Sequence, residues 1–215
     1  MTPFVTTGFL SDVHGRLDAL EAVLARFERA GVQRVVACGD LLLGGPEPLG
    51  VWRRLQQVGA VVLAGLGEMA LVQVDPDKLR PLDAAERARV QRFAETRRAI
   101  GDLVVQQLRS LPRTWRTAVP GGGELVAVHG APADPTEAIT HDLTDEEVLA
   151  LLGSPPPRYV VCGAAHVPFQ RTVAGTHLVA LGSVGEAPEG EPNAHYAIAR
   201  PQPDGLQWEA GWTPY

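Results

Sequence analysis

Phe4-Val5-Thr6-Thr7-Gly8-Phe9-Leu10, followed without a break by Ser11-Asp12-Val13-His14-Gly15, sets an apolar, β-rich run against a polar loop. A short run of this kind reads as a buried strand, and the next apolar residues, Leu17, Leu20, Val23, Leu24 and Phe27, recur at helical spacing. Strand, loop and amphipathic helix therefore open the chain. The order then repeats, with Arg34 to Cys38 as a strand, Pro46 to Val58 as a helix carrying Leu49, Trp52, Leu55 and Val58 on one stripe, and Val61 to Leu63 as a third strand. Alternating strands and helices imply a parallel sheet covered on both faces, and ligands gather beyond the carboxyl ends of such strands. Chemistry is thus expected in the loops near residues 11–15, 39–46 and 64–69.

Further along, Asp83 and Glu86 form a capping box for a helical stretch to about Leu111, on which Arg87, Arg89, Arg92, Arg97 and Arg98 read as a solvated face. Thr114 to Val119 and Glu124 to Val128 read as a hairpin across Gly121-Gly122-Gly123, a turn and not a phosphate cradle because no helix follows it. Thr144 and Glu147 cap a short helix ending near Leu152. The remainder reads as strands: Tyr159 to Cys162, Phe169 to Val173, Thr176 to Ala180, Ala194 to Arg200 and Leu206 to Trp212. A βα-rich first half and a β-rich second half predict an α/β fold of two sheets packed face to face with helices outside, in one domain over residues 1–215.

With 45% hydrophobic and 20% charged residues in 215, the composition is that of a soluble globular protein able to bury about 70% of its unfolded surface. The net charge is −6 and 18 of the 19 basic residues are scattered arginines, so no nucleic-acid-binding face is expected. Cys38 and Cys162 each end an apolar run and form no CxxC pair, which predicts buried thiols in a reducing compartment. The amino terminus has no basic, apolar and small-residue leader pattern, and no apolar run approaches the ~20 residues of a membrane span. A cytoplasmic protein with no membrane contact is expected.

Polar groups stand out wherever an apolar strand stops: Asp12 and His14, then Asp40, then His129, then His166. Loops at one rim of a parallel sheet bring distant residues together, and a mixed carboxylate and imidazole set suits manganese, iron or zinc better than calcium. The local wording is more specific: Ser-Asp-Val-His-Gly at 11–15, Gly-Asp at 39–40 followed by Gly-Pro at 45–46, Val-His-Gly-Ala-Pro at 128–132, Gly-Ala-Ala-His-Val-Pro at 163–168 and Gly-Ser-Val-Gly at 182–185. In these motifs the chain resembles the calcineurin-like metallophosphoesterases, particularly their small prokaryotic phosphodiesterase branch.

The resemblance implies a four-layer α/β/β/α fold, a two-sheet sandwich flanked by helices, with two metal ions at the strand ends. It implies that Asp12, His14, the bridging Asp40 and His166 hold the first ion. The second ion of the family is held by the same bridging aspartate, by the Asn of a GN[HD]E motif, by a His before Gly and by the first His of GHxH. This sequence has Gly65-Leu66-Gly67-Glu68 and Ala164 at those places, so only Asp40 and His129 remain. Gly67 also replaces the histidine that serves the leaving group. General acid catalysis contributes ~10²–10⁴-fold and one charge-stabilising donor another ~10²–10³, so losing both costs on the order of 7 kcal/mol of barrier lowering.

The implied cofactor is one divalent transition metal (Mn, Fe or Zn), the second ion being in question. Glu68, His141 and His195 are the groups available to refill the second position, while Leu66 and Ala164 read as an apolar filling of it. The implied activity is hydrolysis of phosphodiesters or phosphomonoesters on a small phosphorylated substrate, by an impaired or mononuclear metallophosphoesterase. The competing reading is a non-catalytic relative that binds a phosphorylated ligand or a protein partner. Met69 to Leu82 and Ala133 to Asp142, the segments placed to select substrate, carry no recognisable motif.

Overall fold

The computed structural model of the protein describes residues 4–186 and 192–215. In chain order its elements are β1 (Thr7–Leu10), α1 (Leu17–Arg29), β2 (Arg34–Ala37), α2 (Pro48–Gln57), β3 (Val61–Val62), α3 (Leu66–Gln73), α4 (Ala84–Leu108), β4 (Thr114–Ala118) and β5 (Glu124–Val128). They continue with α5 (Asp145–Leu152), β6 (Tyr159–Cys162), β7 (Phe169–Val173), β8 (Thr176–Ala180), β9 (Asn193–Gln202) and β10 (Gly205–Pro214). One five-stranded sheet has the order β10-β9-β1-β2-β3 and the other the order β4-β5-β6-β8-β7.

The β1, β2 and β3 strands run parallel as expected, but the long β9–β10 hairpin adds to β1 antiparallel, so the first sheet is mixed and not parallel throughout. In the second sheet β5, β6 and β8 are mutually parallel, with β4 and β7 antiparallel at the edges. Strand side chains alternate between faces, and here the alternation sorts the apolar residues into three cores. Phe9, Val36, Leu125, Ala127, Tyr159, Val161 and Val179 pack between the sheets. Leu10, Ala37 and Ile198 face the other way, onto the stripe of α1 (Leu20, Val23, Leu24, Phe27), and onto α2 and α4. Val128, Val160, Cys162 and Leu178 face outward under Val148 and Leu152 of α5. The result is two sheets with helices outside, as read from the sequence.

Two expectations fail locally. The long helix α4 is broken at Gly101, whose backbone (φ 74°, ψ 168°) leaves the helical region that only glycine leaves cheaply in this direction. The loop expected near residues 64–69 instead turns into α3 at Leu66. Its eight residues bury only Gly67, Glu68 and Leu71, so no apolar stripe announces it, and a glycine stands inside it.

Candidate metal centre

The carboxyl ends of β1, β2, β3, β5, β6 and β8 meet at one rim, where the loops are tied to each other by backbone and side-chain hydrogen bonds. Asp12 N donates to Gly39 O (3.0 Å), Gly163 N to His129 O (2.8 Å), and Ser183 Oγ to Asp12 O (2.8 Å). Six non-glycine residues have positive φ among the described residues, and five of them, Asp12, His14, Asp40, Ala164 and His166, lie in these loops. A left-handed backbone costs a residue with a Cβ about 1–2 kcal/mol, and such strain concentrates where a site dictates side-chain direction. Glycines allow the loops to meet: a Cβ on Gly39 would fall 2.6 Å from Gly65 Cα, and one on Gly163 would lie 3.0 Å from Asp12 Oδ2 after colliding with Ser11 Oγ.

The other four strand-end residues, His14, Asp40, His129 and His166, come together around Asp12. The ligand atoms of Asp12, His14 and His166 all lie within 4.8 Å of one another, and so do those of Asp12, Asp40 and His129. His166 Nε2 stands 3.1 Å from Asp12 Oδ1 and 3.4 Å from His14 Nε2. His14 Nδ1 lies 2.8 Å from Leu43 O and His129 Nδ1 lies 2.9 Å from Cys38 O. A carbonyl can only accept, so both rings donate through Nδ1 and turn Nε2 inward, the ring orientation a metal-ligating histidine needs. His129 Nε2 is 3.6 Å from Asp40 Oδ1. The shared carboxylate of the two groups is that of Asp12, not that of Asp40.

Asp12 is fully buried, and among the described residues its Oδ2 has no hydrogen-bond partner. Burial raises its pKa, but the hydrogen bond with His166 and the charges of His129 and His166 outweigh burial and hold the carboxyl below its ordinary value. The same hydrogen bond raises His166. A buried, partnerless carboxylate oxygen amid inward imidazole nitrogens fits a divalent first-row cation.

The second position is thinner. Gly67 N donates to Asp40 Oδ1 (2.7 Å), so the α3 amino terminus orients Asp40 by backbone alone. Leu66 does not fill a hole: it is 42% exposed at the start of α3, because the helix turns that side chain toward solvent. Ala164 is half-buried and keeps its left-handed backbone (φ 58°) with no ligating group. Glu68 turns away from the cluster. It is 1% exposed and accepts from Asp40 N (2.8 Å), Leu41 N (2.8 Å) and Gly65 N (3.0 Å), an inward anchor for the loop, while burial and the nearby Asp40 raise its pKa. His141 is exposed beside Phe169, and His195 sits in β9 against Gly182; neither belongs to a ligand group among the described residues.

One nearby group was not read from the sequence. Glu186 Oε2 lies 3.7 Å from His14 Nε2, one residue beyond the Gly182–Gly185 motif, with no spacing to a second ligand that would have marked it.

The sequence model of the calcineurin-like phosphoesterase superfamily domain matches residues 5–203. The chain belongs to that superfamily. Phosphodiesterase YfcE of Escherichia coli (strain K12) is 40% identical over 67 residues, 27% of this chain and 36% of that protein, so the chain spans about a third of the length of the curated relatives it matches. Hypothetical protein PH1004 from Pyrococcus horikoshii OT3 superposes with a TM-score of 0.83 at 20% identity, covering 99% of this chain and 89% of the other. A metallophosphoesterase from Sphaerobacter thermophilus gives 0.74 at 22% identity, covering 97% and 89%. At these identities the superpositions show the calcineurin-like fold alone, two mixed sheets flanked by helices.

Proposed function

We propose that the protein is a metal-dependent phosphoesterase working from one complete cation position, on small phosphodiesters or activated phosphomonoesters. The observation that carries the reading is the partnerless, buried Asp12 Oδ2 within a donor set of carboxylate and inward imidazole nitrogens. Asp12, His14 and His166 hold the cation, with Asp40 and His129 beside them. A divalent cation bound there would supply Lewis acidity toward a phosphoryl oxygen and would lower the pKa of a water.

The chain's own residues determine the rest. Leu43 O and Cys38 O orient the rings of His14 and His129, and Gly67 N holds one oxygen of Asp40. No titratable side chain at position 67 protonates the leaving group, so turnover is slow and favours good leaving groups. The absence of donors at Leu66, Gly67 and Ala164 favours a second reading, in which the same cluster binds a phosphorylated ligand or a protein partner without turnover. Two free, buried cysteines are compatible with a reducing compartment such as the cytoplasm.

Bis-p-nitrophenyl phosphate with added Mn²⁺ separates the two. The enzyme reading expects hydrolysis that D40N abolishes; background rates from both proteins would leave the binding reading standing.

A further inference from the structure

We infer that Glu186 is the fourth donor to the cation held by Asp12, His14 and His166. The inference rests on the metal-dependent reading above and adds to it a ligand outside the five strand-end residues.

The turn that carries Glu186 is strapped to the Asp12 loop. Val184 N donates to Ser11 O (3.0 Å), Gly185 N to Asp12 O (2.9 Å), and Ser183 Oγ to Asp12 O (2.8 Å). Glu186 N in turn donates to Ser183 Oγ (2.7 Å). Gly185 is required for this approach, since a Cβ there would run into Val13 O. The backbone of the turn is therefore fastened to the residue that anchors the cluster, and its last side chain is delivered to His14.

What that side chain meets is the inward nitrogen of His14. His14 donates through Nδ1 to Leu43 O, which turns Nε2 toward Glu186 Oε2 at 3.7 Å. The same Nε2 faces His166 Nε2 at 3.4 Å and Asp12 Oδ1 at 3.8 Å. Imidazole nitrogens and carboxylate oxygens gathered at one point are the donor set that a divalent first-row cation takes. Donors bound about 2.1 Å from one ion stand about 3.0 Å apart at octahedral angles and about 3.4 Å apart at tetrahedral ones. Among Asp12, His14 and His166 the separations of 3.1, 3.4 and 3.8 Å are slightly open versions of those spacings, and Glu186 stands next to them at 3.7 Å from His14.

Glu186 stands at the open side of the cluster, with 53% of its side chain exposed, and stays outside the group whose donors all lie within 4.8 Å. It closes onto the ion by rotating its own torsions, a movement that solvent permits on that side. With donors absent from positions 66, 67 and 164, an added carboxylate concentrates ligand charge at the first position. His14 and His166 then supply two imidazole nitrogens and Asp12 and Glu186 two carboxylates, with Asp40 beside them, a set suited to a divalent first-row cation.

Mn²⁺ binding to the full chain, measured by calorimetry, tests this. Among the described residues the Glu186 carboxylate accepts no hydrogen bond, so E186Q leaves the metal-free fold in place, and D12N reports loss of the whole site. We expect E186Q to weaken Mn²⁺ at least tenfold, in 0.1 M and in 1 M NaCl alike, because a bound ligand is not screened as a distant charge is. E186Q binding within twofold of the parent while D12N abolishes binding overturns the inference and leaves the metal-dependent reading intact. A loss that disappears in 1 M NaCl also overturns it, marking Glu186 as a remote charge. A parent protein that binds no Mn²⁺ overturns both.

Discussion

Glu68→Gln keeps the shape of a buried side chain and removes one of its two acceptor oxygens. In the protein Oε1 takes the Leu41 N–H, and Oε2 takes those of Asp40 and Gly65. An amide NH₂ cannot accept, so whichever way it sits at least one backbone N–H is left facing a donor. A buried unpaired group costs about 1–3 kcal/mol, and the surviving bonds lose the strengthening that a charge provides, about 1 kcal/mol more. Relief of the buried charge, the burial that raises Glu68 in the first place, offsets part of this. The net expectation is about 2–3 kcal/mol of lost stability, which for a chain of this size lowers the melting temperature by about 4–12 °C. Urea and thermal unfolding of chelator-treated protein, followed by circular dichroism, measure it. Because one of the three N–H groups belongs to Asp40, Mn²⁺ affinity should fall together with stability. A melting temperature within about 1 °C of the parent would refute the claim that Glu68 anchors the Asp40 loop and is not a ligand in waiting.

Ala164→Gly is expected to stabilise the protein. Ala164 has φ 58°, so glycine removes about 1–2 kcal/mol of backbone strain and gives back about 0.4–1 kcal/mol in unfolded-state entropy. Calorimetry should show melting raised by about 1–4 °C; a lower melting temperature would mean that the Ala164 methyl group contributes more than its backbone costs. His177 supplies a pH test away from the metal centre. Its ring packs against both Tyr159 and Trp208, and burial lowers its pKa from 6.5. The folded chain therefore binds fewer protons there than the unfolded chain. Stability contributed by neutral His177 is present above pH 6.5 and is lost as pH falls toward the lowered value. The His177 ring resonance should titrate with a midpoint below 6.5, and H177Q should soften the acid slope of stability; a midpoint above 6.5 contradicts the burial argument.

Most strands and the two-sheet arrangement were legible because each strand alternates two apolar faces: Phe9 against Leu10, Val36 against Ala37, Val161 against Cys162. The capped helix α5 was legible because Thr144 and Glu147 satisfy each other's backbone groups locally. The α3 helix was not, because its start is capped by a contact that reads as a metal motif in one dimension, and its packing partners are on α4. Leu66 shows the same limit from the other side. An apolar residue in a ligand position reads as filling, yet the helix direction exposes it.

By itself the sequence determined which side chains stand at strand ends, and which ligand chemistry is missing at positions 66, 67 and 164, since residue identity and local periodicity are properties of the chain. Only the tertiary structure decided that Asp12 and not Asp40 is common to both ligand groups, that Glu68 faces inward, and that Glu186 reaches His14. Those facts depend on strand order and on bonds such as Ser183 to Asp12, 171 residues apart, and no local pattern encodes a distance across two sheets.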